Sequence, residues 1–304
     1  MSAKSEEFEQ DHPNPPRRGL KKGLYLIPSA FTAANIAMGF FSVMSSLRGF
    51  QLLGGTNPDL TAAAGQFNNA AVAIGFALLF DMLDGRIARL TKTTTEIGIQ
   101  LDSIADVVTF GLAPAILAYV WGYGITLAQG ELHEFAWFVS FMFLMCGAFR
   151  LARFNVQASR PRVLAEGAVK TDKKSFVGLP IPVAGGFIAA LVHFSPQPLI
   201  YFGPERSRIY AGLLMLLVGL LSLMMVSTLR FSSFKTVGTG SRSMRPIILA
   251  LGVLVLVFLY SRYVLLAIVV MYILHGLLSR VASVFWRRSD SAETKIEANP
   301  VGRS

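Results

Sequence analysis

Four aspartates stand out because each lies within an otherwise apolar stretch of the chain. Asp81 and Asp84 are three residues apart, and Asp102 and Asp106 are four residues apart. At these spacings the two members of each pair share one face of a helix. An unpaired charge inside an apolar membrane helix costs about 3 kcal/mol. We therefore expect the four carboxylates to be balanced by cations.

The two pairs are predicted to face each other across a polar turn at residues 91–95. Measured from its centre, Asp84 and Asp102 lie at the same depth, about 14 Å along their helices. Asp81 and Asp106 lie at about 18 and 20 Å. Four facing carboxylates cannot all stay ionised without cations between them. Oxygen ligands favour Mg²⁺ or Mn²⁺, and two such ions about 3.5–4 Å apart are a common device for phosphoryl displacement.

The residues between the acids suit a nucleoside diphosphate. Gly85 and Ala88 leave the helix surface shallow, Arg86 or Arg89 is placed to hold phosphate oxygens, and Gly98 lets the second helix begin close to the first. Two alternatives remain open from the spacing. Some of the acids could be helix-end residues paired with the arginines, or the acids could form the ion pathway of a cation-coupled transporter.

The stretch 81–106 resembles the signature of the CDP-alcohol phosphotransferase family, D-x2-D-G-x2-A-R-x8-9-G-x3-D-x3-D, and matches it completely. The resemblance implies a membrane enzyme, commonly a homodimer, that cleaves a CDP-activated lipid and releases CMP. It implies that two divalent cations, Mg²⁺ or Mn²⁺, are bound by the four aspartates and that Asp106 takes the proton from the incoming hydroxyl. The CDP-lipid site is expected to include Asn35, Gly85, Ala88, Arg89 and Gly98.

Three further stretches, 110–114, 149–155 and 176–182, resemble the bacterial membrane-embedded phosphatidylserine synthases of this family. This resemblance implies CDP-diacylglycerol as donor and L-serine as acceptor. The carboxylate of serine needs a cation, so the expected acceptor site lies near the cytoplasmic end of the fourth apolar segment and contains Arg150, Arg153, Asn155 and Lys174. Ordinary membrane anchoring by these basic residues remains open, as do glycerol 3-phosphate, inositol phosphate and choline as acceptors.

The composition indicates a membrane protein. Hydrophobic residues make up 53% of the 304 residues and charged residues 15%, whereas soluble domains have about 25% charged residues. The apolar residues form runs long enough to cross a bilayer, which predicts an all-α transmembrane bundle at 23–286 between an N-terminal segment, 1–22, and a polar tail, 287–304. We predict eight membrane segments, at about 24–47, 68–90, 99–121, 134–154, 176–195, 209–229, 246–261 and 263–285.

The basic residues are distributed unevenly between the two ends of the predicted bundle. With eight segments, 24 of the 28 Lys and Arg residues fall on the side of the termini. The positive-inside rule then places both termini in the cytoplasm, with the site opening to the cytoplasmic face of the cell membrane. The excess charge also suits anionic membrane lipids. It does not indicate a nucleic-acid protein, because no aromatic platform accompanies it.

Overall fold

The computed structural model describes residues 18–91, 96–127, 132–159, 175–227, 230–232 and 261–274. The description of side chains leaves out those at 18–29, 84–85, 87–91, 96, 158–159, 175–177 and 230–232. Within these ranges the protein is a bundle of helices. They are α1 (Arg18–Leu53), α2 (Leu60–Thr91), α3 (a continuous rod over 96–126), α4 (Leu132–Ser159), α5 (Ile181–Phe194), α6 (Pro204–Val226) and α7 (Ser261–Leu274).

The prediction of an all-α membrane bundle is confirmed. Among the described residues, five helical stretches are long and apolar enough to cross a membrane: Ala30–Leu53, Leu60–Leu83, Ile97–Thr126, Leu132–Gln157 and Pro204–Val226. Helices α5 and α7 are apolar but shorter. The described helices correspond to seven of the eight predicted segments, and the segment 246–261 lies outside the described residues except for Ser261.

Helix α2 begins eight residues before the predicted segment 68–90. Asp59 explains this start, because its carboxylate Oδ1 accepts a hydrogen bond from the Ala62 N–H at 2.9 Å, and its carbonyl oxygen accepts one from Ala63 at 3.0 Å. An aspartate in this position caps the free N–H groups of a first helical turn. Hydropathy alone did not predict the first eight residues of α2.

Helix α3 contains two π-helical segments within its continuous rod. α-Helical Glu96–Asp106 is followed by π-helical Val107–Leu112, α-helical Ala113–Ala118, π-helical Tyr119–Tyr123 and α-helical Gly124–Thr126. π-Helical turns are rare and are often found at functional sites. The first of them begins directly after Asp106, so it lies next to the predicted reaction centre.

Helices α1 and α3 pack closely at the first π-helical segment. The Thr109 hydroxyl is buried and donates a hydrogen bond to the Asn35 carbonyl oxygen at 3.1 Å. A Cβ at Gly39 would lie 3.0 Å from the Thr109 Cα, so this crossing has no room for a side chain. The contact fixes the height of α3 against α1 just beyond Asp106.

A short antiparallel pair of strands is the one β structure among the described segments. Strand β1 (Ser175–Val177) pairs with β2 (Arg230–Ser232) with Phe176 opposite Phe231. The next residue, Gly178, has φ +83°, and a Cβ there would clash with the Met225 carbonyl oxygen. This turn and Pro180, which precedes α5, shorten the predicted segment 176–195 to a helix of 14 residues.

The core lies where α5 enters between the longer helices. Phe67 of α2, Phe110 of α3, Phe143 of α4 and Ile188 of α5 are fully buried. Helix α5 crosses α3 so closely that a Cβ at Gly185 would lie 2.6 Å from the Phe110 carbonyl oxygen. This packing holds the middle of α3, and with it the two aspartates of its first turns, against the rest of the bundle.

Candidate active site

Three of the four predicted acids meet between α2 and α3. Asp81 of α2 and Asp102 and Asp106 of α3 each have a carboxylate oxygen within 4.8 Å of one from each of the other two. Asp81 and Asp102 are half-buried, and Asp106 is only 9% exposed. The fourth acid, Asp84, lies one turn further along α2, but its side chain lies outside the described residues.

Asp106 has the least water-accessible carboxylate of the three. Its Oδ1 atom is buried and has no hydrogen-bond partner among the described residues. The Asp106 carboxylate also interacts unfavourably with the charges of Asp81 and Asp102. The positive charge of the Arg150 guanidinium interacts favourably with the Asp106 carboxylate. A carboxylate oxygen that is buried without a hydrogen-bond partner is costly to keep charged, so a positively charged ligand at the cluster would be favourable.

The donor set fits a divalent cation. All three groups offer carboxylate oxygens, which are the preferred ligands of Mg²⁺ and Mn²⁺. The unpartnered oxygen of Asp106 is a buried polar atom that a bound cation would satisfy. The acidic cluster is therefore able to hold a metal ion by both charge and ligand chemistry.

Among the predicted CDP-lipid residues, Asn35 of α1 has a buried side chain that the structure describes. It is 1% exposed, and in the part of the chain that the structure describes neither its Oδ1 nor its Nδ2 atom has a hydrogen-bond partner. A buried polar group left unpaired costs about 1–3 kcal/mol. Because its own carbonyl oxygen is bonded to Thr109, three residues after Asp106, this amide lies near the acidic cluster and offers a donor and an acceptor to a ligand.

The other predicted CDP-lipid residues lie on the two helices that carry the acids. Gly85, Ala88 and Arg89 belong to the last turns of α2, and their side chains lie outside the described residues. Gly98 is half-buried in the first turn of α3. Their roles stay predictions.

Among the predicted acceptor residues, Arg150 of α4 lies close enough to the acids for its charge to act on Asp106. Its side chain is half-buried, and its Nε atom is buried with no hydrogen-bond partner among the described residues. Arg153 is exposed one turn later. Lys174 lies outside the described residues.

Asn155 joins two helices. Its Nδ2 donates a hydrogen bond to the Ser103 hydroxyl at 2.7 Å, and this hydroxyl donates to the Ile99 carbonyl oxygen at 3.0 Å. Ser103 directly follows Asp102, so the bond ties α4 to the turn of α3 that carries an acid. A cavity of about 500 Å³ lies beside it between α3 and α4.

Two residues near the site were not predicted from the sequence. Ser103 stands inside the aspartate motif, and its position next to Asp102 was the available signal. Tyr272 had none, because it lies 166 positions beyond Asp106, on α7, within electrostatic range of Arg150.

Comparison with known proteins identifies the family of the chain. A family model described as CDP-alcohol phosphatidyltransferase matches residues 25–225. The CDP-diacylglycerol–serine O-phosphatidyltransferase of Helicobacter pylori J99 is 32% identical over 256 residues, which cover 84% of this chain and 91% of the relative. The enzyme of the same name from Saccharomyces cerevisiae is 35% identical over 56% of this chain and 54% of its own length. The archaetidylserine synthase of Methanothermobacter thermautotrophicus is 29% identical over 71% and 73%.

The matched region contains the three clustered acids, Asn35 and Arg150, and it covers α2 to α6 together with most of α1. A match of this extent, together with a relative that is similar over nearly its whole length, decides the family. The chain is a membrane enzyme that belongs to the CDP-alcohol phosphatidyltransferase family.

Proposed function

We propose that this enzyme transfers the phosphatidyl group of CDP-diacylglycerol to the hydroxyl of L-serine, producing phosphatidylserine and CMP. The observation that carries the proposal is the cluster of Asp81, Asp102 and Asp106, with its buried, unpartnered carboxylate oxygen. The names of the most similar relatives support serine as the acceptor. Arg150, a half-buried cation whose charge acts on Asp106, supports an acceptor that carries a negative group.

In the proposed reaction Asp106 is the general base. Its carboxylate takes the proton of the serine hydroxyl, and the serine oxygen attacks the phosphorus that bears diacylglycerol, in line with the leaving group. A new P–O bond forms to serine. The P–O bond to the bridging oxygen of the diphosphate breaks, and CMP leaves with that electron pair.

The four aspartates are proposed to hold two divalent cations, Mg²⁺ or Mn²⁺. When bound, such cations stabilise the negative charge of a diphosphate and of its leaving group. Within the chain, Asp81 and Asp102 hold this charge-balancing site next to Asp106. Asn35, with a free donor and acceptor, and Gly85, Ala88, Arg89 and Gly98 are proposed to border the CDP-lipid.

The acceptor site is proposed to centre on Arg150. The guanidinium of arginine pairs well with a carboxylate, because it offers several N–H donors in a fixed planar arrangement. A serine held there through its carboxylate would lie beside Asp106, to which Arg150 already couples. Arg153, Asn155 and Lys174 are proposed to complete this site, although Asn155 already donates a hydrogen bond to Ser103.

The position of the cluster near the end of the bundle suits a reaction between a lipid and a water-soluble alcohol. CDP-diacylglycerol is proposed to enter from the bilayer, and serine and CMP to exchange through the cytoplasmic side. The protein is proposed to be a multi-pass homodimer in the cytoplasmic membrane, with both termini in the cytoplasm. Cross-linking in membranes tests the dimer.

The proposal is tested by product identification with the purified full-length enzyme. The protein is incubated with CDP-diacylglycerol, labelled L-serine and Mg²⁺ or Mn²⁺, and the labelled lipid is analysed. We expect phosphatidylserine and an equal amount of CMP. An excess of chelator is expected to abolish both, and either cation added back is expected to restore them.

A panel of acceptors separates the alternatives. Serine is replaced by glycerol 3-phosphate, inositol phosphate or choline, and CMP release is measured for each. If CMP is released with another alcohol but not with serine, the proposed transfer reaction stands and serine is rejected as the acceptor. Release of no CMP with any of them would overturn the proposed function.

A further inference from the structure

Helices α4 and α6 enclose an apolar groove at the end of the bundle opposite the acids. The groove has a volume of about 390 Å³ and is also bordered by Leu127, which directly follows the α3 rod. Between Asp106 and Leu127 this rod rises by about 30 Å. A lipid with its phosphate at the Leu127 end therefore cannot present that phosphate to the acidic cluster, so the groove is separate from the candidate active site.

The walls of the groove follow one face of each helix. The α6 wall runs from Arg208 to Leu223 at the spacing of a single helix face. The α4 wall runs from Leu132 to Met142, which is a rise of about 15 Å. This is half of the roughly 30 Å hydrocarbon core of a bilayer. The groove therefore matches one leaflet in depth, and an acyl chain of that leaflet can lie along it.

Two glycines of α6 keep the groove open. A Cβ at Gly212 or at Gly219 would have nothing within 4 Å, so no described side chain fills the space above them. The facing wall on α4 includes Phe135 and Phe138, which are both exposed. The groove is thus an open space with apolar sides, and a hydrocarbon chain would fill it without leaving a polar group unpaired.

Arg208 is the one charged residue among the described residues that line the groove. It lies in the second turn of α6, and its side chain is exposed. An arginine near the end of a membrane helix extends its guanidinium to the interface, which is the level of the lipid phosphates. The planar N–H donors of arginine pair well with phosphate oxygens. Arg206 and Glu205 precede it, so this end of α6 has a net positive charge.

We propose that this groove binds one anionic phospholipid from the leaflet opposite the active site. The lipid phosphate pairs with Arg208, and one acyl chain lies between α4 and α6 over Gly212 and Gly219. A second copy of this chain is a poorer occupant. A two-fold contact through the groove would bring two Arg208 guanidinium groups to the same level, where like charges repel. This lipid site is additional to the proposed CDP-lipid site and lies at the other end of the bundle.

The test is photo-cross-linking of the purified full-length protein in detergent. Phosphatidylglycerol with a photoreactive acyl chain is added, and the labelled peptides are identified by mass spectrometry. We expect labels within 132–142 of α4 and 208–223 of α6. Unlabelled phosphatidylglycerol is expected to compete about fivefold better than phosphatidylcholine with the same acyl chains, the factor that corresponds to one arginine near an anionic membrane surface.

Two variants separate the phosphate contact from the acyl-chain contact. Arg208→Gln is expected to remove the preference for phosphatidylglycerol, and Gly219→Leu, which fills the groove, to abolish labelling there. The matched control is Arg206→Gln, which removes a charge from an exposed position outside the groove and is expected to behave like the wild type.

Three results would overturn the proposal. The first is an equal loss of preference in Arg206→Gln and Arg208→Gln, which would show a response to net charge alone. The second is labelling that Gly219→Leu does not change. The third is a wild-type groove without label together with a dimer that Gly219→Leu separates, which would make the groove an interface between copies. None of these readouts uses CMP release, so they are independent of the proposed function.

Discussion

Asp106 differs from the other acids in its surroundings. The sequence spacing predicted that acids of α2 and α3 would face each other, and the cluster of Asp81, Asp102 and Asp106 agrees with that prediction. Spacing could not rank the acids by burial. Of the three clustered acids, Asp106 is the most buried because it precedes the π-helical segment that packs against α1, and that packing depends on residues far away in the chain.

Replacing Asp106 by asparagine tests its role as the base. The variant keeps the size of the side chain and loses the carboxylate, so it cannot accept the proton of the hydroxyl. We expect CMP release to fall at least about 100-fold, the usual contribution of general base catalysis. Asp59→Asn is the control, because Asp59 is exposed at the start of α2 and asparagine caps a helix equally well. Near-normal turnover of Asp106→Asn would show that Asp106 is not the general base.

One variant separates two roles of Asn155, the tie between α4 and α3 and a direct contact with the acceptor. If it ties α4 to α3 through Ser103, Asn155→Ala shifts the turn that carries Asp102. We then expect the Mn²⁺ concentration needed for half-maximal activity to rise about tenfold, as is common when a group that supports a metal ligand is lost. The KM for serine should change less. Gln157→Ala, exposed two residues later, is the control, and a larger effect on serine than on Mn²⁺ would favour direct contact with the acceptor.

At the scale of elements, the sequence predicted which segments are helical better than where they end. Hydropathy located the apolar runs, but α2 starts at a capping aspartate and α5 is shortened by a glycine turn and a proline. Both effects are local backbone chemistry within stretches that are apolar on average. The two π-helical segments of α3 have no sequence signal that we can identify.

The crossing of α5 and α3 provides a matched pair of glycines. A Cβ at Gly185 would lie 2.6 Å from the Phe110 carbonyl oxygen, whereas a Cβ at Gly186 has nothing within 4 Å. Gly185→Ala is expected to lower the free energy of unfolding by about 1–3 kcal/mol, because the helices must separate. Gly186→Ala should leave it unchanged or raise it slightly. Thermal unfolding in detergent measures both, and equal midpoints would show that the crossing tolerates a methyl group.

At the scale of the whole molecule, the orientation of the bundle is predicted from the charges. Residues 54–59 join α1 to α2 at one end, and Gln157 near the end of α4 lies at the other, towards the acids. The uneven distribution of Lys and Arg places the second end in the cytoplasm. This orientation is a prediction that labelling from one side of the membrane can test.

Cysteine labelling tests the orientation of the bundle in the membrane. The native cysteine, Cys146, is first replaced by serine, and a single cysteine is then introduced at the exposed Asn57 or at the exposed Gln157. In right-side-out vesicles an impermeant maleimide is expected to label Asn57→Cys but not Gln157→Cys. Permeabilised vesicles should label both. The reverse pattern in intact vesicles would invert the proposed topology.

The strand pair has a consequence for biogenesis. β1 and β2 lie more than 50 residues apart, with α5 and α6 between them, so their pairing closes a long loop and must await the insertion of both helices. Contacts between distant parts of a chain form slowly, because the chain must first be ordered. The Gly178 turn, which sits against the end of α6, should therefore be among the last parts to assemble. A nascent chain arrested before β2 would have its acids inserted and still be open to proteolysis at this turn.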